Sequence, residues 1–476
     1  MQRTRSVFAG HLSKIGLAAA AFVAAANLTA DNELTVASFG FDVDAWCEAG
    51  TDVFALDGDG LIYHFWHNGR GLTEVRRIHV NPDVESCAVG PDLVFFLDPA
   101  FGILAVDRSP EAQPVMRPVY VQPPAGRGSL VPEAFVLSSG ETGPVLEISG
   151  EGRTIRLAAP GLPARVGAPT VIATAETDPV DDSGDAADDA VVVAGEGVAW
   201  ILGADKQAGL RVYDLEGRQQ LFLPAGKLNN VDALPLGDNR FLAAASNRST
   251  IAVDLFEVRA DPLKVDRGGS FALDFVDPYG LCMGEVGGVP HVFVGDTEGR
   301  VEGWKVATGE ISERVLELSF DTQTEGCVYD SKSGRLYVGE ELAGVWSVDI
   351  RDGRKELVHA VDGETLVADV EGVDIYHGKK RRYLVVSSQG DDSFVVYGLP
   401  KHEKLLKFRI AADRESGIDG ASETDGISLA ARPLHGYPAG VLVVQDGYNV
   451  APGENQNFKI VDWRQIEALL EKPGSE

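Results

Sequence analysis

Beyond residue 26 the chain lacks any apolar run of the roughly 20 residues that a membrane-spanning helix needs. It has little helix signal of any kind. Only WRQIEALL, at 463–470, carries a helical period, which excludes a helical bundle. Cysteine is scarce: the four in 476 residues never fall in CxxC or Cys/His spacing, which excludes the usual zinc sites. The nine histidines form no HExxH pattern, so a zinc hydrolase finds no support, and no Walker loop is present. No nucleophilic Cys or His signature occurs, which points away from a covalent enzyme intermediate. Positive charge is also short. With 42 Lys and Arg against 72 Asp and Glu, the net charge is −30, a surface that repels nucleic acid and anionic membranes and attracts cations.

What is present begins with a targeting segment. Arg3, Arg5 and Lys14 precede the apolar run Ile15 to Ala26, and small residues follow at Ala24, Ala25, Ala26 and Ala30. That is the layout of a secretory signal peptide over 1–30. Its removal takes the charge to −33 and predicts a secreted or periplasmic protein with no membrane attachment. The rest reads as all-β. Segments such as LRVYDL, RFLAAAS, HVFVG, GRLYVGE and RRYLVVSS are short, apolar or alternating, and bounded by Gly, Asp or Asn. Turn signals recur every 45–50 residues or so, the length of a four-stranded propeller blade.

A longer repeat overlies these units. Residues 44–69 resemble 279–309, residues 84–107 resemble 324–349, and residues 130–137 resemble 369–376, in the same order. The pattern predicts a partial array of about three blades over 31–160 and a complete propeller over 165–470, joined at AAPGLPARVGAP (158–169). The cysteines follow the repeat. Cys47 and Cys87 in one half match Cys282 and Cys327 in the other, so an exported chain would pair Cys47–Cys87 and Cys282–Cys327. Four buried thiols are the alternative.

Residues 175–189, AETDPVDDSGDAADD, hold seven carboxylates and no Lys or Arg. Further polar clusters follow in the second half: ADKQAGL, KLNNVD, ASNRS, DPYGLCM, DTEG, QTEGC, GEE, ADVEG, SSQG, DGASETDG, QDGYN and NQNFKIV. In this order, from residue 171 to about 466, the chain resembles the β-propeller phytases, alkaline calcium-dependent phosphatases with a six-bladed fold. The resemblance implies hydrolysis of phytate (inositol hexakisphosphate), presented as its calcium salt, by metal-activated water over several Ca²⁺ ions. Calcium takes six to eight oxygen ligands, which accounts for the acidic loop.

Carried over by motif, the resemblance implies catalytic calcium ligands at Glu176, Asp188, Glu325, Glu341, Asp369, Glu371, Gln389, Asp419 and Asp425. It implies site roles for Tyr279 and Glu298. Asp189 with the backbone at Ala190 and Val231 corresponds to one structural calcium site, and Asp446 with Asn449 to another. Lys206 and Arg248 correspond to phosphate-binding residues, a point charge and a two-pronged donor respectively. Three positions depart from the family pattern. Ala190 stands where Pro is common, Tyr448 where an acid is common, and Thr297 where a phosphate-binding Lys is usual.

The first half retains Glu85 and Glu133 at the positions of Glu325 and Glu371. It has Pro99, Val131 and Glu151 at those of Glu341, Asp369 and Gln389, so it is expected to be non-catalytic. Two other readings remain open at the level of sequence. A calcium-dependent propeller lactonase or other phosphatase would keep the carboxylates without needing Lys206 and Arg248. A non-catalytic propeller would capture calcium phytate without cleaving it.

Overall fold

The computed structural model describes residues 34–67, 71–112, 115–121, 130–140, 143–150, 152–159, 168–307, 310–413, 415–450 and 453–472, together with the short strand Arg5–Phe8. The rest of the proposed signal segment, and most of the linker read at 158–169, lie outside the described residues. No helix among the described residues is long and apolar enough to cross a membrane. The chain divides into two compact units: Met1–Val166 with Val450–Gly453, and Gly167–Asn449 with Glu454–Glu476.

The first unit holds three antiparallel sheets of consecutive strands, of five, four and three strands. The strands Ala45–Ala49, Ser86–Val89 and Ala134–Gly140, one from each sheet, touch in that order. The disulfide Cys47–Cys87 joins the first two, with Cα atoms 5.7 Å apart. Alternating side chains fill the space between sheets. Phe54, Ile62, Val94 and Phe96 form one buried cluster, and Phe95, Ile103, Leu146 and Ile148 form the next.

The second unit contains six sheets. Their innermost strands are Ala187–Ala194, Leu228–Gly237, Pro278–Val286, Thr324–Asp330, Val370–His377 and Ile427–Ala430. Each touches the next, and the sixth touches the first, so the sheets close into a ring: a β-propeller. Strands from the start of the unit complete the last two sheets. Thr170–Ile172 pairs parallel with Glu403–Ala411, and Ala175–Glu176 pairs antiparallel with Asn457–Asp462. Ala175–Glu176, near the start of the unit, is thereby held against its last strand at one seam. Cys282–Cys327 joins the third and fourth innermost strands, with Cα atoms 5.5 Å apart. Both pairings expected from the repeat are therefore present. The helix Trp463–Leu470 follows the last strand, capped by the Asp462 side chain on the Arg464 N–H, and it buries Trp463, Ile466 and Leu469.

One local feature recurs around the ring. In five of the six innermost strands the pairing with the second strand slips near the start. The slipped residues are Asp188–Asp189, Asn229–Asn230, Tyr279–Gly280, Glu325–Gly326 and Glu371–Gly372. In the sixth sheet Asp425–Gly426 stands just ahead of Ile427–Ala430. A bulge re-aims side chains that strict alternation would point elsewhere. Two of the glycines are required by close approach. A Cβ on Gly280 would lie 1.9 Å from the Glu325 carbonyl oxygen, and one on Gly326 would lie 2.1 Å from that of Glu371. The corresponding pairings in the first unit run without such a slip.

Candidate active site

Two rings of residues form the site. The inner ring comes from the bulges: Asp188, Asn229, Tyr279, Glu325, Glu371 and Asp425. The outer ring follows the second strand of each sheet, immediately after Asp205, Asn247, Asp296, Glu340, Ser388 and Asp446. Those positions are Lys206, Arg248, Thr297, Glu341, Gln389 and Gly447. Positions far apart in sequence thus acquire one address in the fold.

Glu325, Glu341 and Glu371 bring a carboxylate oxygen each to within 4.8 Å of one another. Glu325 and Glu371 are buried. Burial pushes their pKa values up, and for Glu371 the neighbouring Glu325 charge adds to the effect. Glu341 is pushed up to about 7, first by burial and then by Glu325. Burial, with the charge of Asp425, also raises Asp369. Glu371 Oε2 and Asp188 Oδ2 are buried without a hydrogen-bond partner among the described residues. Unsatisfied carboxylate oxygens crowded in this way fit a hard divalent cation, which accepts several oxygen ligands and removes the repulsion.

Two cations belong to the same rings. Lys206 is buried, and its Nζ lies 2.9 Å from Asp185, 2.9 Å from Asp188 and 3.0 Å from Asp425. Burial alone would lower its pKa, but Asp188 and Asp425 outweigh that and raise it. Asp425 also accepts from Gln389 Nε2 at 2.7 Å. Arg248 is clamped by Asp277 through Nε (3.0 and 3.1 Å) and Nη2 (2.6 Å). Its guanidinium lies 5.1 Å from the centre of the Tyr279 ring. The Tyr279 hydroxyl is held protonated by the charge of Glu325 and by burial. Thr297 donates its N–H to the Asp277 carbonyl at 3.3 Å, while Glu298 is exposed. Arg300 is tied to Glu302 and to the Asp274 carbonyl, away from this role.

Glu176, Asp419, Asp446 and Asn449 converge on the ammonium of Lys459, which is fully buried at the seam. Lys459 Nζ lies 2.6 Å from Glu176 and 3.1 Å from Asp446, and it also donates to Asp419. Asp189 is separate again and accepts the Val231 N–H at 3.2 Å. Sequence reading missed Lys459. Its signal, a Lys inside the apolar run NFKIV, is the kind that implies a buried partner.

The acidic loop is therefore shared among several tasks. Asp178 accepts the Gln219 N–H, Asp181 pairs with buried Arg211, Asp185 and Asp188 pair with Lys206, and Glu176 pairs with Lys459.

A 3-phytase of Bacillus subtilis (strain 168) is 35% identical over 327 residues, spanning 63% of this chain and 85% of that protein. A solved structure from Bacteroides thetaiotaomicron, a structural-genomics protein of unknown function, aligns over 86% of this chain and 94% of its own at 13% identity and a TM-score of 0.42, too distant to bear on function. The model of the family described as Phytase matches residues 161–474, which is the whole ring with both rings of site residues. The chain belongs to the Phytase family.

Proposed function

We propose that the protein is a calcium-dependent phosphomonoesterase that hydrolyses phytate, with its calcium salt as the natural form of the substrate. The observation that carries this reading is the convergence of Glu325, Glu341 and Glu371, with Lys206 paired to Asp188 and Arg248 to Asp277 at the neighbouring blades. The proposed metal ligands are these three with Asp188, Asp369, Gln389 and Asp425. Bound calcium would supply Lewis-acid charge for the phosphate oxygens and lower the pKa of an attacking water. The chain's own contribution is placement. Arg248, fixed by Asp277, offers its remaining N–H groups to a phosphate, and Lys206 balances Asp188 and Asp425 beside it. Tyr279 keeps its proton and can donate a hydrogen bond to phosphate. A polyanionic substrate would be repelled by a chain of this net charge, so metal binding has to precede substrate capture.

The seam cluster has a second proposed role. Glu176, Asp419, Asp446 and Asn449 bring several oxygen donors together around Lys459 and are proposed to hold one structural calcium ion. Asp189 with the Ala190 and Val231 backbone is proposed as a further structural site. Catalysis is assigned to 165–470, and the array over 31–160, which lacks the bulges and most of the acids, is proposed to be non-catalytic. Export through a signal peptide at 1–30 would place the enzyme outside the cytoplasm, where the two disulfides persist.

The deciding assay measures phosphate release from phytate with and without calcium, beside a lactone substrate. Calcium-dependent phosphate release with no lactone opening is expected. Lactone opening, or calcium-dependent binding of phytate without release, would reject the reading.

A further inference from the structure

The inner ring has one member without a task. Asp188, Tyr279, Glu325, Glu371 and Asp425 are acids or a phenol assigned to metal or phosphate, whereas Asn229, at the equivalent bulge of the second sheet, is neutral. Its side chain is fully buried, and each end of the amide has a definite partner. Nδ2 donates to Glu325 Oε1 at 3.2 Å and to Asn230 Oδ1 at 3.0 Å. Oδ1 faces Arg248 Nη1 at 3.4 Å. One amide thus touches both the metal-binding acids and the phosphate-binding cation.

A carboxamide suits this position for chemical reasons. Asp would add a charge against Glu325. Leu would leave a buried carboxylate oxygen without its donor. Ser has one hydroxyl and too short a reach for both partners. Asp277 takes Nε and Nη2 of Arg248 on one edge of the rigid guanidinium, and Nη1, at the remaining corner of the same plane, faces Asn229. The Asn229 contact is long for a hydrogen bond, so it contributes placement more than holding strength.

We propose that Asn229 is a positioning residue that sets the Arg248 guanidinium at a fixed spacing from Glu325, so that one phosphate group meets the cation and the metal-binding carboxylates together. The inference rests on the phytase reading and is tested so that the two can fail separately. The full-length, calcium-loaded protein is compared with Asn229→Leu, Asn229→Ser, Arg248→Lys and the Asn229→Leu/Arg248→Lys double variant. The readouts are melting temperature, kcat and KM on phytate, and the Kd of inorganic phosphate by calorimetry. Losing one placed contact to a charged group predicts about a tenfold weaker phosphate Kd and a raised KM in Asn229→Leu. In the Arg248→Lys background the Asn229 substitution should add little, because the group it positions is gone. A purely structural Asn229 would lower the melting temperature and the active fraction while leaving KM and Kd unmoved, and that result overturns the proposal. So does full additivity in the double variant. Should Asn229→Leu fail to fold, Asn229→Ser is judged by the same readouts. If the wild type binds phosphate but releases none from phytate, the functional reading fails while the phosphate Kd still decides the role of Asn229.

Discussion

Replacing Lys459 with Met keeps the length of the side chain and removes its charge. In the native protein that charge is buried among Glu176, Asp419 and Asp446, with Asn449 completing the cage. Glu176 belongs to the strand that enters the ring, and Lys459 is its direct partner on the strand that ends it. The substitution leaves three carboxylates facing one another at the closure of the propeller. Breaking a buried ion pair from one side costs about 3–5 kcal/mol. At roughly 2–3 °C per kcal/mol for a unit of this size, the melting temperature should fall by about 6–15 °C. Calcium offers a replacement charge, so the variant should recover more stability from added calcium than the wild type does. Thermal unfolding of both proteins, in chelator and in excess calcium, measures this directly. A variant that melts within about 2 °C of the wild type in chelator would refute the reasoning, because the seam would then not depend on the ammonium.

Other outcomes follow from the same electrostatics. Glu341 is held at about 7, above the ordinary carboxylate value, and Asp232 and Asp374, on the innermost strands Leu228–Gly237 and Val370–His377, are held at about 6 and about 8, mainly by burial. Groups whose folded pKa is raised bind protons more tightly when folded, so the metal-free protein should be most stable near the unfolded carboxylate values and lose stability as pH rises through about 8. Chemical denaturation across that range checks the sign, and a stability that rises with pH in chelator would contradict it. Thr297→Lys should lower KM for phytate by about tenfold, since it adds a charge-assisted contact beside Arg248 and Asp277. Arg300→Ala should leave KM unchanged, because Arg300 is committed to Glu302, and a large KM rise there would move the phosphate site. Opening the 45-residue loop closed by Cys282–Cys327 with a double Ser substitution should cost about 4 kcal/mol, read by denaturant unfolding.

Much of this was legible in the sequence because blades write themselves locally. Alternating runs such as RFLAAAS become strands, and Gly-bounded turns separate them. The repeat between halves placed the cysteines on neighbouring blades, and the QTEG, DVEG and ETDG runs marked the acids. The bulges were not legible. A period-two reading counts alternation and cannot see one extra residue in a strand. That is why the polar cluster KLNNVD does not by itself mark Asn229 as the residue that stands in the inner ring beside Glu325. The division of the acids into two centres was also hidden. Glu176 and Asp419 belong with Lys459 only because the entering strand pairs with the final one across 283 residues. The parallel addition of Thr170–Ile172 to Glu403–Ala411 is equally long-range.

The most direct test of the central claim is phosphate release from phytate during a calcium titration, run on the wild type and on Glu371→Gln. Glu371 is buried and shares its surroundings with Glu325 and Glu341, and one of its oxygens awaits a partner. The wild type should be silent in chelator and switch on as calcium is added. Glu371→Gln should need at least about tenfold more calcium, the loss seen even when only an outer partner of a metal site is removed. Phosphate release that survives exhaustive chelation, or a Glu371→Gln enzyme with an unchanged calcium requirement, would contradict it.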